Sequence, residues 1–222
     1  MRLPPLLILP VFLFACADYE IKNLVKSDVD LVADEFITET RTAVRELVVK
    51  LYKRNPVQLQ KNPGMTIEGR LAQLKVHLHQ LDFPELNHKQ GIDAMNLAFD
   101  PVFRGDRVFA LVVGLGGMLR EAYRYKPEVF FTDQLESEVL LTSARNVEVL
   151  LWKLKNTRKP DGEHYLITHE YRGVVDNLSF ERLFGKIIIL QEMMARIADD
   201  ADDRTVTGAV HAVSKVFMPL PI

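Results

Sequence analysis

Apolar residues return every three or four positions along most of this 222-residue chain, with charged and polar residues between them. A helix turns once in about 3.6 residues, so this spacing holds one face apolar and leaves the other to solvent. Leu24, Val25, Val29, Val32, Phe36, Val44, Leu47, Val48 and Leu51 trace such a face over 23–54. Asn55-Pro56 predicts its end, because a proline forces the preceding residue out of the helical region. The prolines and Gly64 predict a loop over 56–64. Ile67, Leu71, Leu74, Leu78 and Leu81 step by four and three residues, predicting a second helix that Asp82-Phe83-Pro84 breaks. Ile92, Met95 and Phe99 predict a shorter third one, closed by Asp100-Pro101.

The segment RVFALVVGLGGMLREAYRYK, 107–126, has a different pattern: Val108 to Leu119 carries no charge at all. Its β-branched residues fit a strand as well, but the amphipathic continuation through Ala122 and Tyr125 predicts a central buried helix. Asp133 and Glu136 form a D-x-x-E capping pattern ahead of another long helix. Its inner face would be Leu135, Val139, Leu140, Ala144, Val147, Leu150, Leu151 and Leu154. Residues 156–164 read as a turn-rich loop, and 165–175 fit helix or strand. Phe180, Leu183, Phe184, Ile187, Leu190, Met194 and Ile197 predict a long helix from Ser179 to Asp199, and a short one follows over 204–217. No internal repeat or run of hairpin-linked strands is present. One-sided apolar seams joined by short loops predict an all-α fold, a single helical bundle of about six to seven helices.

Composition narrows the class. At 48% hydrophobic and 26% charged residues, the chain is too apolar for disorder and too charged for an integral membrane protein. Its 28 basic and 30 acidic residues give a net charge of −2, so the whole-chain balance offers no general attraction to nucleic acid or anionic lipid. Cys16 is the single cysteine, which excludes an internal disulfide framework and a multi-cysteine zinc site.

Cys16 follows a greasy leader. Arg2 supplies a positive start, and Leu3 to Ala15 are all apolar or proline, the length of a signal-peptide core and too short to span a bilayer. The run ends Leu13-Phe14-Ala15-Cys16, which resembles the bacterial lipobox. The resemblance covers the first 16 residues only. It implies cleavage before Cys16, with 1–15 as signal peptide and 16–222 as one α-helical periplasmic domain. It also implies diacylglyceryl attachment at Cys16 and acylation of the new N-terminus, which together hold a protein firmly on a membrane. Ala17 after the cysteine implies sorting to the outer rather than the inner membrane.

The remaining motifs point to structure before chemistry. Gly114, Gly116 and Gly117 lack the Walker lysine and the G-x-G-x-x-G spacing, so close helix packing is the better reading. Three glycines cost a helix roughly 1 kcal/mol each against alanine, which tight contact must offset. His77 and His79 point about 200° apart on a helix and cannot share an ion. His164 and His169, with Glu163 and Glu170, lack zincin spacing. The run Asp199-Asp200-Ala201-Asp202-Asp203 lacks calcium-loop spacing and reads as a turn between helices, with Asp203 as a cap for the last one. Arg120, Tyr123, Arg124, Tyr125 and Lys126 interleave basic and aromatic side chains, a pattern that suits snorkelling beside an apolar helix. No G-x-S-x-G, S-x-x-K or H-E-x-x-H motif occurs. No catalytic, metal or cofactor-binding residue is therefore assigned. The expected function is a lipid-anchored envelope protein whose helical domain is a non-catalytic interaction or structural module with an envelope protein partner. The alternatives are a carrier of a small apolar ligand between helices 108–119 and 180–197, and an envelope enzyme with a site assembled from chain-distant residues.

Overall fold

The computed structural model describes residues 28–76, 81–126, 135–168, 170–171, 174–175 and 178–203. Seven α-helices form the described part of an all-α bundle. Helix α1, Asp28–Arg54, ends where Asn55 meets Pro56. The loop expected next instead opens with a short helix, α2, Pro56–Gln60. Pro56 occupies its first turn, where the missing N–H would have had no helical partner anyway. Helix α3, Ile67–Val76, begins at Thr66, whose Oγ1 accepts the Gly69 N–H at 3.0 Å. Leu81, expected at the end of that helix, lies outside it and is buried; Leu78, His77 and His79 fall outside the described residues.

A 3-10 turn, Pro84–Leu86, runs into two left-handed residues, Asn87 at φ 53° and His88 at φ 58°. Helix α4, Gly91–Leu97, follows, then α5, Arg107–Ala122. Helix α6, Ser137–Asn156, starts later than the capping pattern suggests: Glu136 itself stands at the N-cap position and makes no side-chain cap bond. Asp133 is outside the described residues. The ambiguous stretch holds two short strands, β1 (Glu170–Tyr171) and β2 (Val174–Val175), paired antiparallel with Glu170 opposite Val175. Helix α7 runs Ser179–Asp203, so the acidic run 199–203 is its last turn rather than a turn between helices. A helical backbone needs only available hydrogen bonds, and aspartates lower its propensity by a few tenths of a kcal/mol each. The helix expected over 204–217 lies outside the described residues.

Contacts along the helices fix their directions. Lys50 of α1 bonds Ser179 at the start of α7, and Glu39 meets Lys186. Lys155 of α6 lies 3.2 Å from Glu181 of α7, and Tyr52 of α1 reaches Asp106 at the start of α5. So α1 and α6 point one way, and α5 and α7 the other. The large core joins Leu47, Val48 and Leu51 of α1 to Ala94, Met95 and Leu97 of α4, Val108–Val113 of α5, Val147 and Leu150 of α6, and Phe180, Phe184 and Ile187 of α7. A smaller cluster carries the same bundle onward, through Phe36 and Ile37, Ala122 and Tyr123, Leu140, and Leu190, Met194 and Ile197. The α7 face matches the sequence reading at every position. On α6, Val139 is exposed and Leu151 only half-buried, and Ile92 of α4 is 50% exposed.

Helix α5 is buried on almost every side, from Arg107 through Leu115 and at Gly117, Met118, Leu119 and Ala122. It can be so because α4 crosses it at the glycines. A Cβ on Gly114 would sit 2.5 Å from Met95 N and 2.6 Å from Gly91 O, both backbone atoms of α4. At Gly116 the nearest atom would be the flexible Leu81 Cδ1 at 3.3 Å, and at Gly117 it would be Gly91 N at 3.4 Å. Gly114 is thus the position that admits no side chain. Gly185 on the exposed face of α7 has nothing within 4 Å. Opposite effects are expected from one chemical change: Gly114→Ala destabilises by about 1–3 kcal/mol through overpacking, while Gly185→Ala stabilises by about 0.5–1 kcal/mol by restricting the unfolded chain. Urea unfolding of the two variants checks both signs.

Candidate functional site

A cluster of buried charge sits where α1, α3, the 3-10 turn and α5 meet. Asp106 precedes the apolar run of α5 and caps it, its Oδ1 accepting the Phe109 N–H at 2.9 Å. Its Oδ2 accepts the Tyr52 hydroxyl at 2.8 Å and lies 3.3 Å from Arg70 Nη2. Arg70 is fully buried. It donates from Nη1 to Glu85 Oε1 at 2.6 Å and from Nη2 to Glu85 Oε2 at 2.9 Å, a two-pronged pair, and from Nη1 to Gln73 Oε1 at 2.9 Å. Its guanidinium stacks 3.8 Å from the centre of the Phe109 ring, whose edge meets Phe83. Burial raises the Asp106 carboxyl above the usual carboxylate range, against the opposing pull of the Phe109 N–H, Tyr52 and Arg70. Burial, followed by the neighbouring Asp106 carboxylate, raises the Tyr52 hydroxyl. Burial alone would lower Arg70, but Glu85, Tyr52 and Asp106 outweigh it and hold the guanidinium charged.

The adjacent Arg107 does the converse task for α4. Its Nη1 donates toward the carbonyls of Leu97, Ala98 and Asp100 at 3.3, 3.0 and 2.8 Å, and its Nη2 to Phe103 O at 2.7 Å. These are carbonyls at and just past the end of α4, which helical bonding leaves open. The guanidinium also lies over the Tyr165 ring at 4.8 Å. Gln58 Oε1 accepts from Arg107 N at 3.0 Å and from Lys61 Nζ at 2.9 Å, and Lys61 also reaches Gly105 O. Asn55 pins the segment after α6: its Nδ2 donates to Ile167 O and its Oδ1 accepts the Ile167 N–H, both at 2.8 Å.

Of the residues singled out from the sequence, Cys16, His77, His79 and His169 lie outside the described residues. His164 is half-buried in a backbone bridge with Arg158. Among the described residues no three His, Cys, Asp or Glu side chains gather as a metal site. Arg120 does not interleave with the aromatics; it folds back to donate to Leu74 O. Tyr123 is buried, its oxygen accepting from Gln191 Nε2 at 3.1 Å, and burial pushes its hydroxyl up to about 12 against that bond. Arg124 and Tyr125 are left-handed residues, φ 54° and 60°, that end α5.

Two depressions lie apart from the buried charges. One of about 390 Å³ is lined by Leu81, Gly91, Asp93, Gly117, Glu121 and Tyr125, and a second of about 390 Å³ by Glu138, Leu141, Arg145, Glu148 and Glu192. Neither includes Tyr52, Arg70, Glu85 or Asp106. Within the cluster Asp106 caps the start of α5, and Tyr52, Arg70 and Glu85 tie α1, α3 and the 3-10 turn to it. Sequence reasoning passed over all four charged and phenolic residues. Two signals were available: an aspartate directly before an apolar helix, and Arg70 three residues after Ile67, on the apolar seam of α3. No family model matches the chain, and no curated protein or solved structure matches it.

Removing Arg70 leaves Asp106 buried without its cation. Arg70→Met is expected to destabilise the protein by about 3–5 kcal/mol at neutral pH. The Asp106 carboxyl would then rise further in the folded state, so the deficit is smallest below the ordinary carboxylate range and grows as pH climbs through the raised value. Urea unfolding at acidic and neutral pH measures both the loss and its sign.

Proposed function

We propose that this chain is a bacterial envelope lipoprotein, anchored through Cys16 with its helical domain in the periplasm, where the domain acts as a non-catalytic interaction or structural module. The observation that carries the reading is Leu13-Phe14-Ala15-Cys16 at the close of an uncharged apolar run. Among the described residues no helix is long and apolar enough to cross a membrane, so a covalent lipid would supply an attachment that these helices do not. The module reading is supported by where the charges go: buried Asp106 and Arg107 serve helix ends, and α5 and α7 both contribute to one continuous apolar core, where the carrier reading would need space. Tethering then raises the local concentration of the domain for a protein partner on the same membrane.

Cys16→Ala tests this. Metabolic labelling with a fatty-acid analogue is expected to mark the unaltered protein, and the variant is expected to take up no label. Label retained by the variant overturns the assignment.

A further inference from the structure

The net charge of −2 conceals a strong polarity. Residues 53–62, 97–107 and 152–164 carry nine basic and four acidic side chains, +5 in all, which leaves −7 for the rest of the chain. These segments meet at one end of the bundle: Gln58 bonds Arg107, Lys61 bonds Gly105, Arg107 stacks on Tyr165, and Asn55 holds Ile167. Asp106 and Arg107 are buried and cancel, so the outer part of these segments is eight basic residues against Asp100, Asp161 and Glu163, with Glu181 of α7 beside them paired to Lys155. Large apolar side chains stand exposed among them: Val102 is 76% exposed, and Val57 and Trp152 are each 62% exposed. We propose that this end of the bundle docks on the surface of an anionic lipid bilayer.

Helix dipoles explain part of the pattern and fail on the rest. Lys53 and Arg54 close α1, and Lys153 and Lys155 close α6, where cations offset the negative pole of a helix. Arg104 and Lys61 lie instead beside the start of α5, the positive pole, where cations are disfavoured. Arg158 and Lys159 lie beyond α6 in a loop. Burial, and after it Arg107, Lys159 and Arg104, depresses the Lys61 ammonium, as expected of cations held close together. Such crowding is relieved by an anionic surface. A soluble polyanion would relieve it too, but would leave Val57, Val102 and Trp152 in water. A bilayer interface takes cations at the headgroups and a tryptophan with aliphatic side chains just beneath them. The docking surface is independent of the acyl chains on Cys16, since it lies in the folded domain.

Trp152 is the only tryptophan, so its emission reports the event directly. The probe is the full-length Cys16→Ala chain, mixed with phosphatidylcholine vesicles with or without phosphatidylglycerol. The N-terminal apolar run is common to every variant, so the difference between vesicle types reads the charged end. Phosphatidylglycerol is expected to strengthen binding and shift the Trp152 emission to the blue. Arg104→Gln with Lys159→Gln is expected to weaken that binding roughly 30-fold, from about fivefold per basic residue near an anionic surface. Lys75→Gln with Arg145→Gln removes the same charge elsewhere and is expected to change it by less than about twofold, those residues lying beyond a screening length. Equal weakening by both pairs, or none by the first, overturns the proposal. So does an unshifted Trp152 emission, or heparin competing fully with vesicles that leave the emission in place, which assigns the end to soluble polyanions. Should the first pair fail to fold, salt on the parent decides: binding that persists from about 0.05 to 0.5 M salt, where screening becomes severe, also overturns it.

Discussion

The two oxygens of the Asp106 carboxylate set the terms for the whole upper bundle. Helix α5 is buried almost all round, so water cannot take up the free N–H groups of its first turn. Asp106 Oδ1 accepts one of them from Phe109. That solution brings a negative charge into the interior, which is costly unless it is paired. Tyr52 and Arg70 meet it on Oδ2. Arg70 in turn is a buried cation, and its second partner, Glu85, has a side chain 32% exposed, where a carboxylate can keep part of its hydration. Each residue thus settles the desolvation created by the one before, until the last reaches the surface. The relay joins α1, α3 and the 3-10 turn to the start of α5, beside the Phe83–Phe109 contact of the apolar core.

The next residue repeats the logic with the sign reversed. Arg107 turns to the carbonyls at the end of α4, the negative pole of that helix, while Asp106 serves the positive pole of α5. Two adjacent residues of opposite charge therefore close one helix and open the next, and the two helices cross at Gly114. At that crossing backbone meets backbone, with Met95 N and Gly91 O close enough to exclude any Cβ. The dispersion gained by such close approach, with the caps, offsets the low helix propensity of three glycines in one helix.

This explains what could be seen in the letters alone. Periodicity placed the long helices because an apolar face is a local property: every predicted inward residue of α7 is buried. It misassigned Ile92, which is half exposed, because in a short helix the apolar face is set by which partner it crosses. The glycine triplet was correctly read as packing, but the sequence could not say that Gly114 rather than Gly116 carries the contact, since that depends on the direction of α4. Tyr52, Arg70, Glu85 and Asp106 are scattered over more than fifty positions, and only the fold brings them together. The same holds for the basic end. Its three segments look unremarkable one at a time, and a whole-chain charge balance averages them away.

That averaging matters because charge acts over a limited range. Helix α1 alone has 27 residues and spans about 40 Å, several times the screening length of about 8 Å at physiological salt. One end of the bundle carries the closing cations of α1 and α6. The other brings the start of α1, with Asp34, beside the end of the antiparallel α7, with Asp199. Over that separation the two ends cannot neutralise each other. An approaching surface meets a concentration of cations at the first end, and the net charge of the chain does not describe that encounter.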